Sequence, residues 1–214
     1  MINYAHRGAS AYAPENTLAA FYLAQQLKAN GLETDIQATS DGVLVLFHDD
    51  DLYRITQTEG KVSDFTYDQL LKLDFGSFKD PLYKNEKILK LNDFLLYFGH
   101  KPLKLALEIK QVGLEKEILD AVASYDLASQ VVITSFSLPA LIKTRELDSE
   151  LKIGYLTAKI EDEILRELKD LKIGQICPNI SSLTRQDLIF AKDQGFNVRA
   201  WGVKDERLMQ KAFD

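Results

Sequence analysis

Cysteine occurs once in the 214 residues, at Cys177. A single thiol excludes an intrachain disulfide and a thiolate metal cage. In its short apolar setting Cys177 reads as a small buried hydrophobe. Positive charge is also in deficit, with 26 Lys and Arg against 32 Asp and Glu and a formal charge of -6. No long basic run is available to meet phosphates, so no nucleic-acid partner is expected. Nor is there an apolar stretch near the roughly 20 residues that span a bilayer. The first eight residues, Met1 to Gly8, lack the basic region and apolar core of a secretory signal. These absences point to a soluble, cytoplasmic protein whose oligomeric state the sequence does not reveal. A hydrophobic content of 46% suffices for a substantial core, here expected to form one domain over residues 1–214.

What the chain does have is alternation. Apolar strands are expected to begin near Ile2, Leu32, Lys104, Val131, Lys152, Gln175 and Val198, with amphipathic helices between them. Strand–helix alternation of this kind implies a parallel sheet covered by helices. Asn16 or Thr17 is expected to cap the first helix, and Asn30-Gly31 to close it. Val43 to His48 follows a Ser40-Asp41-Gly42 turn and is expected to return antiparallel, as a hairpin. Residues 49–90 lose periodicity. They read as an inserted, cap-like region of short helices over a site, whose aromatics serve equally well as a small satellite core. The expectation is an α/β TIM-type barrel with a hairpin and small insertion after the second strand. Such a barrel has eight strands in about 250 residues, so the final strand is expected to be missing.

Polar outliers fall at strand ends. Glu33 and Asp35 are spaced i, i+2 and project from one strand face. Two adjacent carboxylates repel, a conflict relieved by a shared proton or a hard cation; taken alone, the spacing fits a salt-bridged strand end better. His6 and Arg7 follow the first strand, and Glu108 and Lys110 repeat the i, i+2 spacing on the third. The C-terminal strand ends are where barrel enzymes keep their sites. Oxygen-only ligands favour Mg²⁺ or Ca²⁺ over Zn²⁺. Arg and Lys suit a phosphate oxyanion, and two histidines suit proton transfer on either side of phosphorus. Together they point to metal-assisted phosphodiester cleavage. Sugar hydrolysis would leave the basic residues and histidines unexplained.

The ordered text Ala5-His-Arg-Gly8, Pro14-Glu-Asn-Thr17, Glu33-Thr-Asp35, Asp41-Gly42, Phe47-His-Asp49, Glu108-Ile-Lys110, Ser135-Phe136 and Trp201 resembles the glycerophosphodiester phosphodiesterases over the whole chain. The resemblance implies the barrel, and hydrolysis of glycerophosphodiesters to sn-glycerol 3-phosphate and an alcohol. It implies that Glu33, Asp35 and Glu108 hold one divalent cation and that His6 and His48 form the acid–base pair. It also implies that Arg7 and Lys110 steady the phosphate, that Asn16 orders the pocket, and that Trp201 walls the glycerol side. The sequence departs from the family in carrying Gly202 where Thr is common and in lacking a further strand–helix unit with a Gly-x-Asp-Gly segment. The competing readings are another lipid-head-group phosphodiesterase, of the sphingomyelinase D or phosphatidylinositol phospholipase kind, and a non-catalytic phosphoester-binding protein.

Overall fold

The computed structural model describes residues 2–213. In chain order the elements are β1 (Tyr4–His6), α1 (Leu18–Gln26), β2 (Gly31–Ala38), β3 (Leu44–Leu46), α2 (Tyr53–Thr56), α3 (Tyr67–Leu70), α4 (Leu91–Phe98), β4 (Lys104–Ile109), α5 (Glu115–Ser124), β5 (Val131–Ser135), α6 (Leu138–Leu147), β6 (Lys152–Thr157), α7 (Asp162–Asp170), β7 (Gln175–Pro178), α8 (Arg185–Asp193), β8 (Asn197–Val198) and α9 (Glu206–Phe213). This is the strand–helix alternation of a TIM-type α/β barrel. Seven strands besides the hairpin strand β3 are present among the described residues. The chain forms two compact units, Met1–Val132 and Ile133–Asp214.

In the first unit β2 is central. It runs parallel to β1, with His6 beside Glu33, and parallel to β4, with Asp35 beside Glu108. The hairpin strand β3 pairs antiparallel with the end of β2, Ile36 facing Leu46. β2 and β4 are buried along nearly their whole length, as strands covered on both faces must be. Phe21 of α1 meets Phe94 and Phe98 of α4 with ring centroids 4.7 and 5.7 Å away, and all three are fully buried. Thr17 caps α1, its hydroxyl accepting from the Ala20 N–H at 3.3 Å. The helix closes earlier than Asn30-Gly31: Lys28 takes the left-handed turn at φ 61°. Gly31 instead opens β2, where a Cβ would stand 2.7 Å from the Lys104 carbonyl oxygen and the Tyr4 ring.

Between β3 and α4 the chain builds a satellite core. Leu52, Ile55, Val62, Leu70, Phe75 and Ile88 bury against Val45 and Phe47, with Phe65, Tyr67 and Phe78 packed around them. Most of the aromatics of residues 49–90 are thus packing residues, while Tyr53 stays exposed. Long polar side chains tie this layer to the β1–α1 loop. The Lys79 ammonium donates to the Ser10 carbonyl at 2.7 Å and the Tyr83 hydroxyl to the Tyr12 carbonyl at 3.3 Å.

The second unit repeats the pattern with parallel pairings of β6 with β7 and β7 with β8. Ser137 caps α6, and Thr184 with Asp187 forms a capping box on α8. Cys177 is buried in β7, as its setting implies. The last strand is shorter than the apolar run from Val198 to Val203 suggests. Beyond Val198 the Arg199 and Trp201 N–H groups still bond the Ile176 and Pro178 carbonyls at 3.1 and 3.0 Å, and the pairing ends at Gly202, whose φ of 80° leaves the extended region. Among the described residues, no helix is long and apolar enough to cross a membrane.

Candidate active site

Glu33, Asp35 and Glu108 are buried, and an oxygen from each lies within 4.8 Å of the others. Register explains the convergence: Glu33 and Asp35 share one face of β2, and Glu108 is the direct β4 neighbour of Asp35. Asp35 is wholly buried, and its Oδ1 has no hydrogen-bond partner among the described residues. A buried acceptor left over in an all-oxygen cluster fits a hard cation. Burial first, and then the Asp35 charge, pushes the Glu108 carboxyl upward, against the pull of Lys110. Lys110 Nζ stands 3.1 Å from Glu108 Oε1.

The other oxygen of Asp35 is shared. Asn16 Nδ2 donates to Asp35 Oδ2 at 3.0 Å, while Asn16 Oδ1 accepts from the Thr34 hydroxyl at 2.8 Å. This fixes both ends of the Asn16 amide beneath the carboxylates. Arg7 Nε lies 3.3 Å from Asp35 Oδ2, and the Arg7 backbone N–H meets Glu33 Oε2 at 3.1 Å. Arg7 and Asn16 both sit in the left-handed region, at φ 57° and 58°. That conformation is common for Asn and strained for Arg. Gly8 follows at φ 81° with its Cα against Ala20, where a Cβ would stand 2.7 Å from that residue. The tight loop therefore turns the Arg7 side chain back over β2.

His6 Nε2 is 3.9 Å from Glu33 Oε2, with 62% of its side chain exposed. Desolvation by the surrounding protein first, and the Arg7 charge second, hold its pKa down at about 4. His48 leaves the hairpin just after Phe47, whose N–H bonds the Asp35 carbonyl at 3.0 Å. Gln37 fixes this end of the hairpin by donating to the Phe47 and Asp49 carbonyls at 3.1 and 2.8 Å.

Three residues with no role in the sequence reading complete the surroundings. His48 Nδ1 meets Asp49 Oδ1 at 2.8 Å, Arg54 Nε reaches Asp49 Oδ2 at 2.5 Å, and Glu15 binds both Arg54 and Arg7. Glu15, His48 and Asp49 also converge, but their carboxylates are committed to arginines, so the group forms a hydrogen-bond relay and not a second cation site. Burial opposes ionisation of Glu15, yet the Arg54 hydrogen bonds and the Arg7 charge hold its carboxyl below the usual range. Glu15 and Asp49 lie inside the quoted motifs; Arg54, in an aperiodic stretch, gave no signal. Of the residues singled out in the sequence, His6, Arg7, Asn16, Glu33, Asp35, His48, Glu108 and Lys110 all belong to the first unit. Trp201 belongs to the second, where its indole N–H donates to the Thr157 carbonyl at 3.0 Å and its ring meets Phe136 edge-on at 5.4 Å.

Residues 6–214 match the glycerophosphoryl diester phosphodiesterase family. A glycerophosphodiester phosphodiesterase of Bacillus subtilis is 30% identical over 100% of this chain and 80% of its own length. One from Caldanaerobacter subterraneus is 38% identical over 71% of this chain and 65% of its own. Among solved structures, an Oleispira antarctica phosphodiesterase in complex with the product sn-glycerol-3-phosphate is 32% identical. It superposes with a TM-score of 0.87 over 100% of this chain and 89% of that one.

Proposed function

This chain belongs to the glycerophosphoryl diester phosphodiesterase family and is a phosphodiester hydrolase, and from that premise we propose that it cleaves small glycerophosphodiesters to sn-glycerol 3-phosphate and an alcohol in the cytoplasm. One observation carries the reading. Three buried carboxylates, two histidines, an arginine and a lysine lie on or beside adjoining strand ends of one unit. Glu33, Asp35 and Glu108 would hold the divalent cation, Mg²⁺ or Ca²⁺. When bound, such an ion supplies positive charge to the phosphoryl oxygens and acidifies an attacking hydroxyl or water. Arg7 and Lys110 offset the remaining phosphate charge, Arg7 held in place by Glu15 and Lys110 by Glu108. His6 and His48 exchange protons with the two oxygens in line at phosphorus: one imidazole takes the proton of the attacking group, the other gives a proton to the departing alkoxide. Asn16 keeps Asp35 oriented. Trp201 is assigned to the substrate on the sequence resemblance alone.

The test is release of glycerol 3-phosphate from glycerophosphocholine with Mg²⁺, with Ca²⁺, and with excess chelator. Release is expected with a cation and not with chelator. His48→Ala is expected to lower kcat by about 10²–10⁴-fold. Glu33→Ala is expected to abolish metal binding while the chain stays folded. Turnover indifferent to chelator and to both substitutions would remove the assignment. Preferential turnover of micellar phospholipid would move the substrate to lipid head groups.

A further inference from the structure

The Arg54 guanidinium, on α2, is 47% exposed at the side chain, yet each of its three nitrogens donates a hydrogen bond. Nε donates to Asp49 Oδ2 at 2.5 Å, Nη1 and Nη2 donate to Glu15 at 3.0 and 2.8 Å, and its charge lies 5.8 Å from the centre of the Phe78 ring. Each carboxylate then passes the connection on. Asp49 Oδ1 faces His48 Nδ1 at 2.8 Å, and Glu15 Oε1 accepts from Arg7 Nη1 at 2.9 Å. We propose that Arg54 is a positioning residue that fixes the tautomer and ring orientation of His48 through Asp49 and holds Arg7 through Glu15. The inference rests on the reading in which His48 transfers a proton.

An exposed ion pair by itself counts for little. This one differs because both carboxylates are mostly covered and each has its second partner in the site. Burial works to raise the Asp49 carboxyl, but the hydrogen bonds from Arg54 and then His48 outweigh it and keep the group ionised. An ionised carboxylate only accepts, so His48 Nδ1 carries the proton and Nε2 is left for chemistry. Fixing an imidazole through its second nitrogen is a recurrent device, and loss of such partners typically costs about 10–100-fold in activity. The fork geometry matters too, since a guanidinium directs rigid, planar donors at two carboxylates at once, whereas an ammonium is a point charge on a flexible stem. Leu52 and Ile55 anchor this segment in the satellite core, exposed by 0% and 5%.

The experiment compares wild type, Arg54→Ala, Arg54→Lys and Asp49→Asn in the full chain, with imidazole ¹⁵N NMR and steady-state kinetics on glycerophosphocholine. In its neutral form, wild-type His48 is expected as a single tautomer protonated at Nδ1. Arg54→Ala is expected to give a mixed tautomer population and a kcat lower by about 10–100-fold. Arg54→Lys should leave most of that loss in place. Combined with Asp49→Asn, Arg54→Ala should cost much less than the product of the two single losses. If Arg54→Ala does not fold, Arg54→Gln carries the same test. A retained Nδ1 tautomer in the Arg54 variants, or fully multiplicative losses with Asp49→Asn, overturns the inference. Wild-type turnover in His48→Ala would instead sink the functional reading, while the tautomer measurement would still decide the place of Arg54.

Discussion

Asn16 holds one end of its amide on Asp35 and the other on Thr34, in a backbone conformation that few residues adopt without cost. Asn16→Ala would remove a donor from a carboxylate with no access to water, a loss of about 1–3 kcal/mol in stability. Affinity for Mg²⁺ is expected to fall by about 10–100-fold, because the partners that orient a ligand matter nearly as much as the ligand. Calorimetric Mg²⁺ titration and urea unfolding read the two effects separately; unchanged metal affinity would strip Asn16 of its ordering role. The sequence left Asn16 and Thr17 as equal candidates for the helix cap. Thr17 takes that place, and the reason was not legible. Local spacing serves both residues alike, whereas the demand on Asn16 comes from Asp35, on a different strand.

The insertion behaves differently from the regular elements around it. Its helices are single turns, too short to display a 3.6-residue stripe, so its outline was legible only as a loss of periodicity. Its internal turns rest on side chains such as Asp74. That carboxylate accepts from the Gly76 and Ser77 N–H groups at 2.8 and 3.1 Å and from the Ser77 hydroxyl at 2.5 Å. Desolvation opposes its ionisation, but these hydrogen bonds prevail and hold the pKa at about 2, below the usual 3.8. A pKa lowered by folding means stabilisation that is fully present above 3.8 and is lost as pH falls toward about 2. The turn at residues 74–77 is therefore expected to open over that interval, visible as a drop in hydrogen-exchange protection of the Gly76 and Ser77 amides. Asp74→Asn should remove the pH dependence; protection that stays flat in wild type would show that the turn rests on something else.

At the scale of the chain, the alternation of apolar strands and amphipathic helices was legible because most elements outside the insertion are long enough to show their period. The end of the last strand was not, since Gly202 takes a left-handed φ that no apolar count contains. The Glu33 and Asp35 carboxylates of the buried cluster were readable from i, i+2 spacing, while the Arg54 relay, joining Pro14-Glu-Asn-Thr17 to His48-Asp49, needed three dimensions. The sequence-based expectation of one domain predicts one cooperative unfolding transition. The only tryptophan is Trp201, so fluorescence follows the second unit while circular dichroism follows the whole chain. The two signals are expected to share a urea midpoint, and separate midpoints would divide the chain into independent domains. A last consequence concerns how such a protein can change over generations. Lys79 and Tyr83 tie the insertion to Ser10 and Tyr12 through main-chain carbonyls, which every residue type carries. The side chains of Tyr12 and Leu82, 68% and 90% exposed, are thus left with mutational freedom. Drift at these positions can reshape the surface of that layer while the ties beneath it keep the same chemistry.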